Sequence, residues 1–114
     1  MEKESIQSEI NELEKIRSKW SFTSMNKTRT SDLLSKINIF NHTFSLEFPN
    51  ATKYYKRNSP AAILISDGIS ELKMFAESNL KKKDDHYFHE GLKNVTYGIK
   101  RIIISLENEI KEIQ

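Results

Sequence analysis

The stretch Phe88–Ile113, FHEGLKNVTYGIKRIIISLENEIKEI, decides the fold. Within it Phe88, Leu92, Val95, Ile99, Ile102, Leu106, Ile110 and Ile113 recur in steps of three and four. At 100° per residue they share one face of a helix longer than three heptads. Asp84 or Asp85 stands where the N-cap belongs, and a negative charge there suits the positive end of the helix dipole. A helix with a single apolar stripe must bury it against other elements. The rest of the chain supplies those elements as helices.

Immediately upstream, Ser59-Pro60 offers a hydroxyl at an N-cap and a proline at the first helical position, where its missing N–H costs nothing. Ala62, Ile65, Ile69, Leu72 and Ala76 then form a stripe, widened by Leu64 and Phe75. At the N-terminus Ile6, Ile10, Leu13 and Trp20 mark a helix of about residues 4–21, with Arg17 standing where the stripe calls for an apolar residue. Between these, Thr30 or Ser31 caps a segment carrying Leu33, Ile37, Phe40, Phe44 and Phe48. Residues 43–48 also alternate polar and apolar, which fits a short strand as well as a helix end, and Pro49 breaks helical order at Phe48. The reading is an all-α fold: one domain over residues 1–114, a four-helix bundle with long N- and C-terminal helices packed side by side.

Composition bounds the chemistry. A chain of 114 residues is long enough to bury one core without staples, and the absence of cysteine removes disulfides, thiolate nucleophiles and cysteine-ligated metals. The net charge is only +2, with two short basic clusters, Lys53–Arg57 and Lys81–Lys83, and no broad basic face of the kind that binds duplexes. No secretory leader opens the sequence and no apolar run is long enough to span a bilayer, so the expectation is a soluble, cytoplasmic protein without membrane association. Four N-x-T sequons, at Asn26, Asn41, Asn50 and Asn94, then reflect a composition rich in Asn and Thr.

Chemistry-bearing residues concentrate in DDHYFHEG, Asp84–Gly91. On a helix, His86 with Glu90 and Asp85 with His89 are i, i+4 pairs, a spacing that can hold zinc. Both histidines nevertheless point outward, about 160° and 100° from Phe88, and Lys93 lies between them where its charge opposes a cation. A third helix would also have to supply a ligand, and His42 is the one histidine elsewhere. The reading assigns no metal and no cofactor, and treats His86, His89 and Lys93 as a pH-sensitive face open to a partner. No nucleophile elbow, phosphate-binding glycine loop or catalytic triad is present, so no enzymatic activity is expected.

Binding residues are sought elsewhere on the surface. Lys53-Tyr54-Tyr55-Lys56-Arg57 interleaves aromatics with cations, a pattern that suits a protein interface or single-stranded nucleic acid. Ile63 and Met74 fall about 160° and 180° from the stripe of their helix, where apolar groups serve a partner. Gly91, Gly98 and Ser105 form a seven-residue row of small positions beside the C-terminal stripe. Mid-helix glycines cost about 1 kcal/mol each, so the row implies a closely approaching backbone, either within the bundle or in a homo-oligomer formed through the C-terminal helix. The long terminal helix is similar to those of the small helical partners of secreted toxins, but Trp20 is followed by Ser21-Phe22 and not by a W-x-G turn. That likeness stays at the level of fold. The expected function is a protein-binding module acting as inhibitor, immunity or chaperone-like factor, with nucleic-acid binding through Lys53–Arg57 as the alternative.

Overall fold

The computed structural model describes residues 2–21, 35–38, 48–55, 59–77 and 85–113, with side chains of the last segment described from Tyr87. These residues form a helical fold with no strand among them: α1 (Glu2–Lys19), a short helical turn at 35–38, a 3-10 turn (Ala51–Tyr54), α2 (Pro60–Glu77) and α3 (Asp85–Ile113). The choice between helix end and strand falls mainly on 43–47, outside the described residues, as do Leu33, Phe40 and Phe44.

α3 is the spine. Phe88, Leu92, Val95, Ile99, Ile102, Leu106 and Ile110 are all buried, as their spacing requires. Ile103 is buried as well, because α3 has neighbours on two sides: α2 along the face of Gly91 and Gly98, and α1 along the face of Leu92 and Thr96. Ile113 departs from expectation. It lies on the stripe but is 45% exposed, one turn past Ile110, the last buried residue of the stripe.

α2 begins where Ser59-Pro60 says it should. The Ala62 N–H donates to Ser59 Oγ at 3.2 Å, and that hydroxyl donates to the Tyr54 carbonyl at 3.1 Å, tying the helix start to the preceding turn. The buried stripe is Ala61, Ile65, Gly68, Ile69, Leu72 and Ala76. Ala61 takes the place expected for Ala62, which is half-buried, because the helix is turned toward the glycines of α3.

That contact is backbone against backbone. A Cβ on Gly68 would stand 2.6 Å from the Gly91 carbonyl oxygen and 2.8 Å from the Val95 nitrogen. One on Gly91 would stand 2.6 Å from Leu72 Cγ, and one on Gly98 would strike Ile65 Cγ1 and approach the Ala61 carbonyl. Leu72 opposite Gly91 and Ala61 opposite Gly98 make the pair antiparallel. Glu71 accepts from the Asn94 amide at 2.6 Å on the flank, and Phe75 packs on Phe88 with centroids 5.0 Å apart. The small-residue row is therefore occupied within the chain at Gly91 and Gly98. Ser105 is half-buried and returns its hydroxyl to the Arg101 carbonyl.

α1 lies against α3, as its stripe of Ile6, Ile10, Leu13 and Trp20 predicts. Glu2 and Glu4 occupy its first turn and Arg17 and Lys19 its last, each sign suited to its end of the dipole. The helix ends at Lys19, short of the expected residue 21, as the Trp20 N–H turns back to the carbonyls of Ile16 and Arg17 and Ser21 N–H to that of Ser18.

Candidate binding site

Two polar constructions join the 48–55 segment to the helices. Glu9 is 6% exposed on the inner face of α1. Its carboxylate accepts the N–H of Asn50 at 3.1 Å, that of Ala51 at 2.9 Å and the Asn50 side-chain amide. One acid thus closes the turn that follows Pro49, and Asn50, a sequon residue, has its amide engaged there and with Ser5.

The second construction absorbs part of the aromatic and basic cluster. Lys53 pairs with Glu109 on α3, and the Tyr54 hydroxyl donates to the same carboxylate at 2.7 Å. These two bonds hold the Glu109 carboxyl below its usual range. The bond to Glu109, with burial and the neighbouring charges of Glu109 and Glu112, pushes the Tyr54 phenol up to about 12. Tyr55 is half-buried against the core, and burial raises its phenol as well. Lys56 and Arg57 lie outside the described residues.

The expected outward residues are placed individually. Ile63 and Met74 are 49% and 53% exposed on the α2 face turned away from α3. His89 and Lys93 are exposed on α3, Lys93 with its ammonium 5.8 Å from the Tyr97 ring centroid. The His86 side chain lies outside the described residues.

The fold brings His89 and Lys93 to α1. A cavity of about 400 Å³ opens between the end of α1 and the first turns of α3, with Trp20 and Leu92 among its apolar lining. Arg17, His89 and Lys93 supply cationic or protonatable groups, and Ser18, Ser21 and Thr96 supply hydroxyls. No carboxylate is among the described lining residues. Arg17 makes one long ion pair, 3.7 Å to Glu14, while its buried Nε has no hydrogen-bond partner among the described residues. The sequence gives Trp20 only a place on the apolar stripe and gives Arg17 and Glu9 no binding role, yet a signal was there: Arg17 interrupts that stripe, and Glu9 sits three residues after Ile6 and four before Leu13.

Among the described residues no group of three His, Asp or Glu side chains is placed to hold a metal, and no helix is long and apolar enough to cross a membrane. No family model, curated protein or solved structure matches the chain.

Proposed function

We propose that the chain is a cytoplasmic, non-catalytic protein-binding module that covers or escorts a partner protein, as an inhibitor, immunity or chaperone-like factor does. Its scaffold in this reading is a four-helix bundle. The carrying observation is that both helices of the tightest pair turn large apolar side chains outward: Ile63 at 49% and Met74 at 53% on α2, Tyr97 at 53% and Ile104 at 45% on α3. Single exposed apolar groups are ordinary, but half-exposed pairs repeated on adjacent helices suit an interaction surface. Tyr97 and Ile104 are seven residues apart and share a face, which is also the surface a second copy would use.

Nucleic-acid binding has less support, since Lys53 and Tyr54 of the aromatic and basic cluster spend their charge and hydroxyl on Glu109. Stacking on single strands needs exposed rings beside uncommitted cations. Affinity purification of the tagged chain from its native source, with sedimentation of the purified protein, tests the reading. The expected result is a stoichiometric protein partner or a defined oligomer. Neither appearing, or salt-sensitive nucleic acid in place of protein, would overturn it.

A further inference from the structure

From the cavity between α1 and α3 we infer that the partner's point of entry is an acidic peptide segment, its carboxylate received by Arg17 and Lys93 over the floor of Trp20 and Leu92. This rests on the protein-binding reading and names what the partner presents. Three features select an acidic ligand. Cationic or protonatable side chains reach the cavity from both walls, Arg17 from α1 and His89 and Lys93 from α3, with no acid among the described lining residues. The Nε of Arg17 is a buried donor with no hydrogen-bond partner among the described residues, a state that an incoming acceptor would relieve. The end of α1, whose carbonyls would repel an anion, is closed by the N–H groups of Trp20 and Ser21 on the carbonyls of Ile16, Arg17 and Ser18.

The position of Arg17 gives the inference its weight. Steps of three and four from Ile6 through Ile10 and Leu13 arrive at residue 17 and continue to Trp20, so this slot faces the core. Arg17, part-exposed there, edges the cavity with a planar donor group suited to a carboxylate. At about 400 Å³ the cavity holds an acidic side chain with a small apolar neighbour, near the lower end of ligand-site sizes. An apolar neighbour suits the floor of Trp20 and Leu92.

Trp20 is the one tryptophan in the sequence and lines the site, so its fluorescence reports occupancy. The full chain is titrated with a short acetylated and amidated peptide alternating Glu and Leu, with its Gln counterpart, and with inorganic phosphate. The expected result is saturable binding of the Glu peptide, at least about tenfold weaker binding of the Gln peptide, and no saturation by phosphate at matched concentrations. Arg17→Gln and Lys93→Gln each lower affinity about three- to tenfold; Lys93→Arg retains binding because the charge remains, and Arg17→Lys binds more weakly than the unmodified chain because it keeps the charge but loses the planar donor group. Equal binding of both peptides, absence of saturation, or saturation by phosphate alone would overturn the inference. So would a clear fall in the denaturation midpoint of Arg17→Gln without peptide, since the arginine would then serve the fold beyond its long ion pair with Glu14. A natural partner still captured by the Arg17→Gln/Lys93→Gln protein sinks the pocket assignment alone; capture of no partner by the unmodified chain, with no defined oligomer, sinks the protein-binding reading.

Discussion

The two contacts that α3 makes differ in kind. Toward α2 it presents Gly91 and Gly98, and the helices meet at a distance that excludes even a methyl group. Toward α1 it presents Leu92, Lys93 and Thr96, and the contact opens into a cavity beside a guanidinium nitrogen that has no hydrogen-bond partner among the described residues. Close backbone packing leaves no room for a ligand and tolerates no enlargement. The looser contact gives up packing and keeps donors and space, a trade typical of sites where function sets the sequence.

The sharpest way to break the contrast is to add one methyl group to the tight side. Gly68→Ala places its Cβ against the Gly91 carbonyl and the Val95 nitrogen, which are backbone and cannot rotate away. The gain of about 1 kcal/mol in helix propensity is outweighed, and chemical denaturation shows a net loss of about 2–3 kcal/mol. An unchanged midpoint would mean that the helices do not meet at these glycines.

Next in size is Glu9→Ala, which leaves the Asn50 and Ala51 N–H groups without their acceptor and costs about 2 kcal/mol in the same measurement. Glu9→Gln keeps an acceptor oxygen and costs about half as much. Equal costs would show that charge, not hydrogen bonding, closes the turn.

Smaller still is Glu109→Gln, at about 1 kcal/mol, with Lys53 nearly half exposed and its ion pair screened accordingly. Its signature is pH dependence. The Glu109 pKa is lowered, so its contribution is present above the unfolded carboxylate pKa and is lost as pH falls through the folded value. The Tyr54 pKa is raised, so its contribution is present below the unfolded value and is lost as pH rises through about 12. Denaturation at acid and alkaline pH finds both slopes flattened in the variant, and phenolate absorbance finds Tyr54 titrating closer to the ordinary tyrosine range.

On the loose side the smallest effect has the opposite sign. Arg17→Leu completes the apolar stripe and satisfies no fewer hydrogen bonds, so stability is unchanged or rises by up to about 1 kcal/mol while affinity for the Glu peptide falls at least as far as in Arg17→Gln. A destabilised variant would place Arg17 among the structural residues.

The extent to which the sequence foretold this follows the physics of each feature. The three long helices are legible because each carries a period of three and four, and in α2 Ser59-Pro60 marks the start to the residue. Gly91 and Gly98 announce a close neighbour but not its identity, since a seven-residue row looks the same toward α2 as toward a second chain. Gly68, the other half of the seam, passes as a residue inside a helix because its reason is a residue 23 positions away. Glu9, Glu109 and Arg17 are harder for the same cause: their partners, or the cavity they edge, are set by tertiary contact. Even so, a charged residue in or beside an apolar stripe is a visible question. Here Glu9 answers it with a turn and Arg17 with a cavity.

The central claim is that the tight α2–α3 seam holds the fold and the open α1–α3 contact recognises a partner. Hydrogen exchange of the protein, alone and in complex with its copurified partner, tests this most directly. The account predicts new protection over residues 13–21 and 89–96, with the glycine seam unchanged; protection appearing only elsewhere, with that cavity exchanging as before, would contradict it.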